Sequence, residues 1–261
     1  MATLVTDDVS EFRSAVLPYL RRDPVRHAVL LEDLAGSNKR GTFVAVIEAD
    51  EVVGAVLCTP KRGIRLGDLA PKYVEEVVGA LASIDAQLVE GLPDTAADFA
   101  KHRPGESAPA DGVRLYHLKN LHLRTAEGSS RVADSNDQDL IANWIEQMVL
   151  EAGDPPVDGR AWASRQEGRL WLWEDGGEPV SLAARRTTVE GVTRIGPIYT
   201  PPEFRRQGFG AALTSHLCSV LRDAGSEVCL RTGLANPDSH SIYQAIGFEP
   251  VADYHRYTLS P

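Results

Sequence analysis

Residues 194–213, RIGPIYTPPEFRRQGFGAAL, decide the fold because they read as a strand, a break, a glycine loop and a helix start. The apolar, β-prone run 194–200 ends at Pro201 and Pro202, since proline removes a donor from a strand ladder. Beyond the loop, apolar residues recur at the spacing of one helix face: Leu213, Leu217, Val220 and Leu221.

The loop between that strand and that helix has the composition of an anion-binding site. Gly208 and Gly210 permit positive φ and close approach of a ligand to the backbone. Backbone N–H groups at a helix start carry partial positive charge, and Arg205 and Arg206 add full charges. The stretch therefore predicts that a phosphate-bearing ligand binds where helix 211–224 begins.

Composition excludes several classes of protein. The chain has 261 residues, 43% of them hydrophobic, and a net charge of −10, which argues against nucleic-acid binding. Its N-terminus has no signal-peptide pattern, and no apolar run approaches the ~18 residues of a membrane span. Cys58, Cys218 and Cys229 lack metal-ligand spacing, so we expect reduced, buried thiols, no metal, no membrane partner and a cytoplasmic location.

The order of predicted elements occurs twice along the chain. Each copy reads as two helices, a hairpin, a long helix, a strand, a short helix and a strand, over roughly 130 residues. The polar stretch 125–130 is the best linker candidate, so we predict two tandem domains, 1–125 and 126–261. The first copy has KRGIRLGDLAPK (61–72) where the second has its loop, which predicts a single phosphate site.

Two blocks of the second copy resemble a known family. Arg205-x-x-Gly208-x-Gly210 is similar to the (Gln/Arg)-x-x-Gly-x-(Gly/Ala) motif of the GNAT superfamily of N-acyltransferases. The run NPDSHSIYQAIGFEPV (236–251) resembles that family's second block, an Asn before a short helix, a Tyr within it and a Gly-Phe ending. The resemblance implies an α/β (α+β) fold of two GNAT-like domains, each a mixed, mostly antiparallel twisted sheet flanked by helices, with the first copy degenerate.

The resemblance also implies acetyl-CoA as cosubstrate. Backbone N–H groups of the loop would cradle the pyrophosphate, and those near Ile198 and Thr200 would hold the thioester carbonyl. Gly196-Pro197 is either an ordinary bulge or a point where the strand splays to admit the pantetheine arm. The implied contact residues are Ile198, Tyr199, Thr200, Arg205, Arg206, Gln207, Gly208, Phe209, Gly210, Ala211, Asn236, Ser239 and Tyr243.

Four of these side chains have structural alternatives. Tyr243 would donate a proton to the leaving thiolate, or it packs under its helix. Asn236 would hold the pantetheine amide, or it caps the following helix, a role that Ser239 fills equally well. Arg205 would bind phosphate, or it caps a helix or faces solvent.

The general base and the acceptor pocket have weaker signals. Glutamates and a histidine are base candidates only by nearness in sequence: Glu178, Glu190, Glu203 and His240. The region 139–167 would shape the acceptor pocket, with Trp144, Met148 and Trp162 as lining residues and Glu146, Glu151 or Asp154 meeting a cationic amine. Trp171 and Trp173 share one strand face and are expected to face the core or the domain seam.

The function that these features imply is N-acetyl transfer from acetyl-CoA to a primary amine, by direct attack in a ternary complex. The alternative is a non-catalytic sensor or scaffold that binds CoA or acyl-CoA. The acceptor would be a small-molecule amine or a protein amine, and the sequence leaves the oligomeric state open.

Overall fold

The computed structural model describes residues 2–35, 40–60, 63–166 and 168–260. Lys61 and Arg62, which open the stretch 61–72, and Glu167, the last residue of the region 139–167 assigned to the acceptor pocket, lie outside the described residues. The helices are α1 (Val9–Leu20), α2 (Ala28–Ala35), α3 (Val74–Ala80), α4 (Pro93–His102), α5 (Gln138–Glu151), α6 (Gly159–Ser164), α7 (Phe209–Asp223) and α8 (Pro237–Ile246). The strands are β1 (Ala2–Thr6), β2 (Thr42–Glu48), β3 (Glu51–Thr59), β4 (Gly63–Leu66), β5 (Leu88–Gly91), β6 (Glu106–Leu118), β7 (Ser129–Val132), β8 (Leu170–Asp175), β9 (Glu178–Arg185), β10 (Val192–Tyr199), β11 (Glu227–Gly233) and β12 (Phe248–Ser260).

The chain packs into two compact units. The first consists of Met1–Tyr116, Arg231–Pro237 and Pro250–Pro261, and the second of His117–Leu230 and Asp238–Glu249. The predicted boundary between residues 125 and 126 stays a prediction, because these packing units divide the chain at more than one point.

The first unit contains a mixed sheet. Strands β1, β2, β3 and β4 pair antiparallel in that order, β4 pairs parallel with β5, and β5 pairs antiparallel with the second half of β12. Helices α3 and α4 contribute Val77 and Phe99 to a core shared with these strands. Phe12 of α1 stacks on Phe43 of β2 at a centroid distance of 5.2 Å.

The second unit repeats that pattern of pairing. Strands β7, β8, β9 and β10 pair antiparallel in order, and β10 pairs parallel with β11 through Val192–Ile195. Helices α5 and α6 cover one face, where Trp144 packs among leucines of β8 and β9. On α7, His216 lies 6.0 Å from the ring of Trp171, which points to the opposite face of β8. The same strand order in both units confirms the predicted fold class.

Local sequence explains the elements that were predicted well. The Asp8 side chain accepts hydrogen bonds from the N–H groups of Ser10 and Glu11, so it caps α1. Each hairpin closes with a two-residue turn at positive φ, Ala49-Asp50 in the first unit and Gly176-Gly177 in the second.

Other elements differ in part from what the sequence indicates. The Pro- and Gly-rich composition of residues 103–112 is typical of a loop, but β6 begins within it at Glu106. The alternating pattern of residues 113–123 indicates a strand, and β6 covers it only as far as Leu118. Strands β1, β4 and β7 were not predicted, and β7 begins inside the predicted linker 125–130. These strands have four or five residues, too few for an alternating pattern to stand out.

Within the described ranges, no helix combines the length and the apolar character that crossing a membrane requires.

Candidate functional site

The loop before α7 presents backbone donors to solvent. Gly208 occupies the N-cap position in the left-handed region at φ 88°, and Arg206 is also left-handed at φ 64°. Residues 205–208 are exposed, and among the described residues no side chain caps the first N–H groups of α7. Uncapped N–H groups at the start of a 15-residue helix attract an anion.

The loop is held against the end of β10 by close packing. A Cβ on Gly210 would lie 3.0 Å from Thr200 Oγ1, so Gly210 lets the helix start approach the strand end. The Thr200 and Ser181 hydroxyls lie 2.9 Å apart, and the Ser181 hydroxyl donates to the Tyr199 carbonyl. Phe209 is buried, whereas Gln207 is exposed and Ala211 is half-buried at the start of α7.

The structure gives Arg205 contacts that the sequence did not indicate. Its Nε donates to the Thr200 carbonyl at 2.8 Å, and one terminal nitrogen donates to Glu151 Oε2 at 2.5 Å. The guanidinium also lies 5.8 Å from the centre of the Tyr199 ring. Arg205 thus ties the loop to the C-terminus of α5, and its binding to phosphate stays a prediction.

Glu151 is the residue at which these contacts meet. The Tyr199 hydroxyl donates to Glu151 Oε1 at 2.8 Å, and burial together with this bond raises the pKa of Tyr199 to about 12. Partial burial opposes ionisation of Glu151, but hydrogen bonds from Arg205 and Tyr199 outweigh it and lower the Glu151 pKa. Glu151 is therefore a carboxylate at neutral pH. Its link to Arg205 spans 54 residues, so no local pattern reveals it.

Strand β10 is irregular where the glycine and proline interrupt it. Its register with β9 shifts between Ile195 and Ile198, so Gly196-Pro197 forms the bulge that was one of the two alternatives. Ile198 pairs with Ala183, and Tyr199 pairs with Leu182. Splaying of the strand for a pantetheine arm stays a prediction.

Tyr243 lies within the core of the second unit. Its side chain is 9% exposed and its ring makes an edge contact with Phe248 at 6.0 Å. Burial raises the pKa of Tyr243 to about 12, although a hydrogen bond with Ser239 opposes that rise. Its hydroxyl therefore keeps its proton at neutral pH, the form that a proton donor needs, but its packing also fits the structural alternative.

Packing explains the glycine of the Gly-Phe ending in the run 236–251. Gly247 has φ 104°, and a Cβ there would lie 1.5 Å from the Asn120 carbonyl oxygen. The Gly247 carbonyl accepts from the N–H groups of Lys119 and Asn120.

Asn236 immediately precedes Pro237, the first residue of α8, which is the position of a helix cap. The roles of Asn236 and Ser239 toward a ligand stay predictions.

The predicted acceptor residues are not equally accessible. Trp144 is 5% exposed and its ring lies 6.4 Å from that of Tyr199, while Met148 and Trp162 are partly buried against the same core. Glu146 accepts from the Gly159 N–H, and Asp154 is exposed. Their contact with an acceptor stays a prediction.

The two tryptophans of the second hairpin differ in burial: Trp173 is in the core, whereas Trp171 is half-buried. Trp173 is buried and its Nε1 donates to the Glu127 carbonyl at 2.7 Å, and Trp171 lies on the same face of β8.

The base candidates lie at different ends of the strands. Glu178 begins β9 and Glu203 follows β10, and both therefore lie at the loop end of this sheet. Glu190 precedes β10 and lies at the other end, and His240 lies on α8. A general base stays unassigned. Among the described residues, no group of three or more His, Cys, Asp or Glu side chains has the arrangement of a metal site.

Part of this chain matches a known family, and its fold is shared with solved structures. Residues 174–257 match the family described as FR47-like protein. The fold is shared with a GCN5-related N-acetyltransferase from Sphaerobacter thermophilus, at TM-score 0.68 and 16% identity over 99% of this chain and 96% of that chain. A GCN5-related N-acetyltransferase from Kribbella flavida has TM-score 0.60 and 19% identity, over 97% and 96%. No curated protein matches the sequence.

A further solved structure matches the tandem arrangement. It is a tandem GNAT protein from the clavulanic acid biosynthesis pathway, with TM-score 0.62 and 14% identity over 100% of this chain and 99% of that chain. At these identities the likeness shows the fold, which is the GNAT fold in tandem, and the resemblance of the sequence to the GNAT superfamily is confirmed.

Proposed function

We propose that this chain, with its GNAT fold in tandem, is an acyl-CoA-dependent N-acyltransferase that moves an acetyl group from acetyl-CoA to a primary amine. The observation that carries the proposal is the loop 205–210. Its residues 205–208 are exposed, Arg206 and Gly208 are left-handed, and the loop opens a long helix that has no side-chain cap. A loop of that kind is suited to a pyrophosphate.

The residues present fit CoA as a ligand. A Cβ on Gly208 would have no atom closer than 3.7 Å, so the space above the glycine is open to a phosphate. N–H groups from Arg206 to Gly210 would hold the pyrophosphate, and the end of β10 would hold the pantetheine arm and the thioester carbonyl. Acetyl-CoA supplies the activated acyl group in the form of a thioester.

The chain's own groups would then orient the reactants and stabilise the negative charge that develops on the carbonyl oxygen and the sulfur. Backbone N–H groups near Ile198 and Thr200 would stabilise negative charge on the carbonyl oxygen as the amine nitrogen attacks the carbonyl carbon. As the carbon–sulfur bond breaks, Tyr243 would donate its proton to the departing sulfur. A bound ammonium would lose one proton through water before it attacks, and the nitrogen would lose a second as the amide forms. Water would then return a proton to the Tyr243 phenolate.

The Glu151 carboxylate would act on the acceptor side in this proposal. It lies at the C-terminus of α5, beside Tyr199, whose backbone belongs to the predicted thioester site. A fixed negative charge there favours a cationic amine over a neutral acceptor. We propose a small-molecule amine or a protein amine as acceptor, and a cytoplasmic location.

The test is thiol release from acetyl-CoA over a panel of primary amines. Acceptor-dependent release that requires the chain supports the enzyme. Tight CoA binding with no acceptor-dependent release across the panel would contradict it and favour the sensor or scaffold, which the burial of Tyr243 also permits.

A further inference from the structure

The first unit contains an open cleft of about 760 Å³ that the proposed acetyl transfer does not use. It lies where the parallel strands β4 and β5 end, and the segments that follow them, Leu69–Pro71 and Leu92–Thr95, form part of its wall. Crevices at the carboxyl ends of adjacent parallel strands are common ligand sites. A volume of this size suits a small molecule.

The floor of the cleft holds a charged pair that is incompletely hydrogen-bonded. Arg26 Nε and Asp68 Oδ2 form an ion pair, whereas Asp68 Oδ1 is buried and has no hydrogen-bond partner among the described residues. Two tyrosines hold the backbone of the paired residues. The Tyr254 hydroxyl donates to the Arg26 backbone carbonyl at 3.2 Å, and the Tyr19 hydroxyl donates to the Asp68 backbone carbonyl at 3.0 Å. Buried polar atoms without partners are rare in stable folds, and ligand sites are one place where they are tolerated.

Arg22 provides an exchangeable positive charge at the rim. Its guanidinium lies 5.9 Å from the centre of the Tyr19 ring and 3.1 Å from Glu51. The Arg22 and Glu51 side chains are 58% and 68% exposed. Because surface ion pairs contribute little, a ligand carboxylate can replace Glu51 at small cost.

The first turn of α4 faces the same cleft. Its N-cap, Leu92, makes no side-chain cap, and Pro93 has no N–H, so the next backbone donors are those of Asp94 and Thr95. The Thr95 hydroxyl is committed to the Leu69 carbonyl at 2.7 Å. The start of α4 therefore adds partial positive charge to the full positive charge of Arg22. The carboxylate of Asp94, which is exposed at the rim, contributes negative charge that opposes both.

We propose that this cleft binds a small organic carboxylate, held between Arg22 and the first turn of α4, with Arg26 fixed beneath it. The first unit is then a ligand-binding domain. The ligand is not CoA, because Pro71 stands where a glycine loop would supply N–H groups to a pyrophosphate.

The test is calorimetric titration of the full chain with L-glutamate, L-malate and citrate, and with inorganic phosphate and CoA as further ligands. We expect at least one carboxylate to bind, and Arg22→Gln to weaken it about tenfold or more, as the loss of a charged hydrogen bond implies. Asp94→Asn removes the opposing charge and should strengthen binding. Arg13→Gln, an exposed change on α1, is the matched control and should leave affinity unchanged.

Three results would overturn the proposal. They are no carboxylate binding at millimolar concentration, binding that neither Arg22→Gln nor Asp94→Asn alters, and binding of phosphate or CoA with the Arg22 dependence instead. The proposal fails independently of acetyl transfer, since carboxylate binding should persist in a Gly208→Val variant whose loop no longer accepts CoA.

Discussion

Replacing Glu90 by glutamine should destabilise the first unit strongly at neutral pH. The Glu90 carboxylate lies 3.0 Å from Arg65, 2.8 Å from Arg231 and 2.7 Å from Arg256, and its side chain is only 7% exposed. Arg65 also lies 3.3 Å from the buried Asp33. The substitution keeps the shape of the side chain but leaves the three guanidinium groups without this counter-ion, which is costly in a buried setting.

The size of the effect follows from the pKa of Glu90. Burial opposes its ionisation, but Arg231, Arg65 and Arg256 outweigh burial and lower the pKa from 4.5 to about 2. That difference corresponds to about 3 kcal/mol of unfolding free energy, or a melting temperature lower by roughly 6–12 °C. Because the folded-state pKa is depressed, this stability is present above pH 4.5 and is lost as the pH falls toward about 2. About 2 kcal/mol of it should be gone by pH 3.

The assay is urea unfolding of the wild type and Glu90→Gln at pH 7 and pH 3. The gap in unfolding free energy between the two proteins should shrink at the lower pH. Glu51→Gln, which removes an exposed ion pair with Arg22, is the control and should change stability by about 1 kcal/mol or less. A Glu90→Gln gap below about 1 kcal/mol at pH 7, or a gap equal at both pH values, would refute the reasoning.

Two other substitutions test the second unit. Gly247→Ala should lose more than about 4 kcal/mol of stability, because its Cβ would overlap the Asn120 carbonyl and its φ is 104°. Gly153→Ala, at φ 69° with open space, should lose only about 1–2 kcal/mol through backbone strain, as measured in a thermal melt. Equal melting of the two variants would contradict the packing described. Trp144→Ala should lower the free energy of unfolding by about 3–5 kcal/mol, because it removes a large side chain from the core. A variant with unchanged melting but altered acceptor kinetics would instead place Trp144 in the acceptor pocket.

Much of the fold was predictable because local chemistry and tertiary packing agree. Asp8 caps α1, the Gly176-Gly177 turn closes its hairpin, and the face marked by Leu213 and Leu217 is the buried face of α7. The first half of β6 was missed because residues 103–112, RPGESAPADG, have a composition typical of a loop, and pairing with strands distant in sequence overrides that preference. At Gly112 a Cβ would lie 2.7 Å from the Tyr254 carbonyl. This glycine therefore permits close packing of the strand, although its residue type suggested a loop.

The candidate site was predictable only where its residues are contiguous. The loop 205–210 and the start of α7 follow from one stretch of sequence. The contact of Arg205 with Glu151 joins positions 54 residues apart, and the burial of Tyr243 is a property of the folded chain that its local sequence does not show. The sequence therefore indicated the candidate phosphate-binding loop and gave Glu151 as one of three acidic candidates, but it did not indicate the contact between Glu151 and Arg205.

The central claim is that the loop before α7 binds CoA, and glycines at the two ends of that helix test it most directly. Gly208 and Gly225 both have positive φ, 88° and 80°, and neither has an atom within 3.4 Å of an added Cβ. Valine should therefore strain both positions similarly, by about 1–2 kcal/mol. Calorimetric titration with acetyl-CoA should show wild-type affinity for Gly225→Val and a loss of about tenfold or more for Gly208→Val. Wild-type affinity in folded Gly208→Val would contradict the claim.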